Sequence, residues 1–209
     1  MKSFATRTSI AAVGGLLVAG VGLAAVADTQ HGPDQGVDVN VSIEAIDEPG
    51  VLAMTVADDA VTLTETASSD PTAREFEGTL PTVTVTDTRT ADEIGDGYFW
   101  YVVGQASDFT GPAALGAKDL GWTPYLIDDD SDGQVVAGEE VAPELDTAAA
   151  PDNVGLVDRE LLAMAMDSAG VVDAGSWSAQ ADLRLKTPID QAAGDYTSVL
   201  TLSLWEDAF

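Results

Sequence analysis

Trp177-Ser178-Ala179-Gln180-Ala181-Asp182-Leu183-Arg184-Leu185-Lys186 alternates apolar and polar side chains without a slip, and Pro188 closes the run. A period of two puts every apolar residue on one face of an extended chain, whereas a helix would scatter them around its axis. The run is therefore a half-buried β-strand. Downstream, Gly194-Asp195 supplies a turn, and Tyr196, Ser198, Leu200, Leu202 and Leu204 repeat the same period as a last strand. Upstream, Asp158 to Ser168 has the Leu, Ala and Met content of a helix. Leu162, Met164 and Met166 nevertheless alternate between Gly155 and Gly170, which predicts a strand, with a short helical turn as the alternative.

Farther towards the N-terminus, Tyr98 to Val103 is apolar at every position, as in a strand at the centre of a sheet or covered on both faces. Trp122 to Ile127 and Val135 to Val141 read as strands flanking an acidic turn. Val83 and Val85 alternate with threonines in a β-branched run. Val61 and Leu63 follow a turn at Asp58-Asp59, Leu52, Met54 and Val56 follow Pro49-Gly50, and Val37, Val39, Val41 and Ile43 form the first alternating segment. Thr66 to Arg74 is polar. Many short strands separated by Gly, Pro and Asp turns predict an all-β fold, a β-sandwich with Ig-like or Greek-key connections.

Residues 1–27 have a different character. Lys2 and Arg7 precede an apolar run from Ile10 to Ala27, and Ala25-Val26-Ala27 presents small residues where a signal peptidase cuts. The expected organisation is a signal peptide over 1–27, a linker over 28–36 and one domain over 37–209. The protein is then extracellular, either secreted or held noncovalently at the cell surface, with no membrane span after cleavage.

The chain carries 36 acidic and 8 basic residues, a formal charge of −28, and no cysteine. That charge argues against nucleic acid, which is bound by neutralising phosphates with Lys and Arg, and against an anionic membrane surface. Without cysteine there is no disulfide, thiolate nucleophile or zinc-thiolate site. The one histidine, His31, lies in the expected linker, which removes a Ser-His-Asp triad from the domain. No G-x-S-x-G or phosphate loop occurs. A noncatalytic protein is expected.

Asp128-Asp129-Asp130-Ser131-Asp132-Gly133-Gln134 through Glu139 satisfies D-x-[DN]-x-[DN]-G-x5-E. Asp128, Asp130 and Asp132 are spaced to converge on one ion, Gly133 permits the sharp bend, and the Gln134 carbonyl and Glu139 carboxylate complete an oxygen shell suited to calcium. A solvated turn uses the same residue types. The flanks read as strands, which argues against an EF-hand.

Several segments, in order, resemble the WxL domain of Gram-positive cell-surface proteins. Leu80 to Arg89 contains V-x-D-x-R, Trp100 stands at the first W-x-L, and Ser107-Asp108-Phe109 is similar to S-x-F. Gly175-Ser176-Trp177 precedes the penultimate strand, and Gly194-Asp195-Tyr196 with Leu200-Thr201 resembles G-x-Y-x-x-x-L-T. Trp100 is followed by Tyr101-Val102, and Trp205 lies one residue beyond Leu202-Ser203-Leu204, so both tryptophan motifs depart from the pattern. The resemblance implies noncovalent association with peptidoglycan. Because an indole can stack its flat face on a sugar ring, Trp100, Trp122 and Trp205 are the ligand-binding candidates. Trp100 and Trp177, in apolar or strictly alternating runs, read more naturally as core. Trp122 and Trp205 are the better surface platforms. The rival reading is a calcium-stiffened adhesion or assembly module that binds other surface proteins.

Overall fold

The computed structural model describes residues 49–127 and 133–209. The expected signal peptide, linker and Val37–Ile43 strand lie outside the described residues. The strands are β1 (Leu52–Val56), β2 (Thr64–Thr66), β3 (Ala73–Thr79), β4 (Val83–Asp87), β5 (Tyr98–Ala106), β6 (Leu120–Leu126), β7 (Val135–Ala137), β8 (Glu160–Ala165), β9 (Ser176–Pro188) and β10 (Leu200–Ala208). A short helix, α1 (Ser168–Val171), follows β8. No helix among the described residues is long and apolar enough to cross a membrane.

These strands form a sandwich of two antiparallel sheets. In the first, β9 is the organiser: β6 runs along one of its edges, and β4 and β3 share the other end to end. β1 and β2 line the far sides of β4 and β3. The second sheet has the order β10-β5-β8-β7. β1 to β4 all belong to the first sheet, and from β4 onward the chain changes sheet at every step except β7 to β8.

β9 is long enough, at 13 residues, to template both β3 and β4. Thr79 faces Asp182 and Val83 faces Ala179, so Leu80-Pro81-Thr82 opposes only Gln180-Ala181. The extra residue is a bulge. It is the place where Pro81, with no N–H to give to the ladder, does least harm. Ala179, Ala181, Leu183 and Leu185 are buried, as their alternation predicts.

Between the sheets, Val83 and Val85 meet Trp100, Val102 and Leu162. Gly104 on β5 admits Trp122 from β6: a Cβ at Gly104 would stand 2.6 Å from Trp122 Cη2. The two long margins of the sandwich differ. At one, the Trp122 N–H donates to the Val141 carbonyl and the Val141 N–H to the Trp122 carbonyl, both at 2.9 Å, which links β6 to the segment after β7. At the other, β1 and β2 stand opposite β10. There Arg89 donates to Asp87 at 2.7 and 2.9 Å and to Glu206 at 2.7 and 3.0 Å, tying the sheets at one end.

Within 158–168, Glu160–Ala165 is a strand, as the alternation indicates, and the short helical turn α1 begins at Ser168 at the segment's end. The last strand begins at Leu200 rather than Tyr196 and continues through Trp205 to Ala208. β3 is the strand the alternation did not reveal: its sequence, AREFEGT, carries one large apolar residue. It is held by its register on β9, where Glu75 faces Lys186 and Glu77 faces Arg184.

Candidate functional site

Trp100 and Trp122 are each 1 % exposed, so neither presents a ring face to a ligand. This corrects their candidacy as ligand-binding residues. In sequence Trp122 opens a strand-like run close to a turn, but the space left by Gly104 on the facing sheet draws it into the core. Its Nε1 and that of Trp177 are buried with no partner among the described residues, a cost that the surrounding hydrophobic burial offsets.

Trp205 is different. It is 41 % exposed and lies on the outer face of the second sheet. Register sets it opposite Tyr101, which faces Met164, which faces Val136, so one row of apolar side chains crosses all four strands on the solvent side. Phe99 stacks on Tyr101 at 5.8 Å, and Phe209 stacks on Phe99 at 4.5 Å. The Arg159 guanidinium lies over the Trp205 ring, 4.8 Å from its centroid. Arg74, Arg89, Lys118, Arg184 and Lys186 all pair with carboxylates. Arg159 alone among the described cations has an aromatic ring in place of an acid. Trp205, flanked by other aromatic rings and a cation, is a platform of the kind that stacks on flat or partly charged ligands.

Of the acidic loop, Asp128, Asp130 and Asp132 lie outside the described residues. Gln134 and Glu139 are described and exposed. The Gln134 carbonyl accepts the Met166 N–H at 2.7 Å, extending the pairing of β7 with β8. The flanks are the strands β6 and β7, but β7 ends at Ala137, short of the expected Val141, which bridges Trp122 instead.

A second candidate emerges only in three dimensions. Between β10 and the β2–β3 margin lies a cleft of about 980 Å³. Leu183, Leu185, Phe76, Leu63, Leu200 and Leu202 line it, with Asp58, Asp59 and Asp195 among the polar groups. That volume is at the upper end of ordinary ligand pockets. The lining comes from five separated stretches of chain, and no local motif brings them together.

No protein-family model matches the chain, and comparison with curated proteins and with solved structures finds no similar protein.

Proposed function

We propose that this chain is a noncatalytic secreted or cell-surface domain that associates noncovalently with the cell wall, using the outer face of the second sheet to hold peptidoglycan. The observation that carries this reading is Trp205 with Arg159 on its ring, at the end of an apolar row across the sheet. A sugar ring offers a C–H face that an exposed indole can cover, while the adjoining guanidinium suits the carboxylates that wall polymers carry. In a chain of net charge −28, a cation with no carboxylate partner among the described residues is a feature that bulk solubility does not require. The export signal and the ordered resemblance to the WxL domain support the same location and role. The displaced tryptophan of the second motif is the one that faces solvent.

Sedimentation with purified peptidoglycan tests this. The mature protein should pellet with the wall, and Trp205→Ala or Arg159→Ala should weaken the affinity about five- to thirtyfold, the loss expected from a stacking contact worth about 1–2 kcal/mol. Parent protein remaining in the supernatant, or Trp205→Ala pelleting as the parent does, would overturn the proposal.

A further inference from the structure

Among the described residues, the margin opposite the β6–Val141 link is left uncovered in two respects. β10 is the outermost strand of its sheet among the described residues. The phase of its ladder is fixed at both ends: the Ser107 N–H donates to the Val199 carbonyl at 2.9 Å, and the Phe209 N–H donates to the Gly97 carbonyl at 3.3 Å. Odd-numbered residues of β10 therefore bond β5. Leu200, Leu202, Leu204, Glu206 and Ala208 turn their N–H and C=O groups away from β5, to an edge that no described strand covers. The Ala208 N–H is taken by Asp207 Oδ1 at 2.8 Å, while the other four N–H groups have no partner among the described residues. Beside this edge lies the cleft of about 980 Å³, whose hydrocarbon walls belong to both sheets.

We propose that this margin is a strand-acceptor site: an extended segment of a partner protein, alternating apolar and basic residues, adds to the free edge of β10 and seats its apolar side chains in the cleft. A strand beside β10 would lie about 4.8 Å away, with every second side chain pointing between the sheets. A lipid tail could fill the walls, but it could not satisfy the row of N–H and C=O groups, which is what a polypeptide does in strand addition. Charge selects the partner's polar residues. The exposed carboxylates of Asp58, Asp59 and Asp195 rim the cleft, and with the chain's −28 they favour a segment that carries Lys or Arg between its apolar residues. The same charge disfavours a second copy of this chain as the donor. Trp205 lies on the outer face of the same strand, so strand addition is read at the even-numbered edge amides and wall binding by sedimentation of the Trp205 variants, and the two readings fail separately.

The test uses the mature protein and a synthetic peptide of β10's length, 9 residues, alternating Val and Lys. Binding should slow amide hydrogen exchange at Leu200, Leu202 and Leu204, with the odd-numbered amides of β10 protected before and after. A block peptide of the same composition, with all Val at one end, should bind at least about tenfold more weakly. Leu204→Pro removes an edge N–H without touching the β5 ladder, where proline is tolerated, and should weaken the alternating peptide to a similar degree. Should that variant melt early, the exposed pair Asp58→Lys and Asp59→Lys should weaken binding likewise. No slowing at the even-numbered amides, equal binding of the block peptide, a concentration-dependent dimer that excludes the peptide, or a long-chain alcohol occupying the cleft while the peptide leaves β10 unprotected would each overturn the proposal.

Discussion

Single residues in this protein are decided by whether a charge or a ring meets water. Asp119 shows the charge case. It is 7 % exposed, and its Oδ2 accepts the Gly116 N–H at 2.8 Å. Burial, helped by Glu144 and Asp108, raises its carboxyl above the ordinary aspartate range despite that hydrogen bond and nearby Lys118. A carboxyl with a raised folded pKa contributes stability below its unfolded value and loses it as pH rises through the folded value. Asp119→Asn keeps an acceptor for Gly116 while removing the buried charge. It should melt at or above the parent temperature at about pH 7 and lose that advantage near about pH 3, where the parent's Asp119 is neutral. Thermal melts across that range check the sign, and a variant less stable only at neutral pH would contradict it. The rings show the limit of sequence reading. Trp100 and Trp205 stand in equally strand-like runs, and one is core while the other is surface because they lie on opposite faces of the second sheet.

At the scale of elements, Arg89 joins β4 to β10 and with them the two sheets. Its Asp87 partner is 5 % exposed, and Glu206 completes the fork. Both carboxylates hydrogen-bond the guanidinium and raise its pKa far above the usual arginine value. Arg89→Met leaves a buried carboxylate without its cation and should cost about 3–5 kcal/mol, read as a lower denaturant midpoint with an unchanged slope. Adding Asp87→Asn and Glu206→Gln should recover most of the loss, since an unpaired buried charge is what destabilises. Val85, Asp87 and Arg89 are among the residues that carry the WxL resemblance, and here the latter two anchor the open margin. β3 was illegible because its stability lies in partners across the ladder: Arg74 holds Glu65 at 2.8 Å, and Glu75 lies 3.7 Å from Arg184. A period of two needs apolar residues to be visible, and β3 offers Phe76 between charges.

Across the whole molecule, the balance of −28 sets the electrostatics. The described ion pairs employ only a minority of the acids, so the remainder repel one another in the folded state. Raising NaCl from about 10 mM to about 1 M shortens the screening length from about 30 Å to about 3 Å. The melting temperature should then rise by several degrees; a fall would mean that the ion pairs outweigh the repulsion. The sequence by itself determined the fold class, the places of most strands, the absence of a histidine-based or thiolate active site in the domain, and the charge, because these depend on local periodicity and composition. Tertiary structure alone decided which tryptophans face solvent, which cation sits on a ring rather than an acid among the described residues, and that no described strand covers one margin of the sandwich. Those features depend on strands far apart in the chain meeting across two sheets, and no local pattern encodes which margin of a sandwich closes.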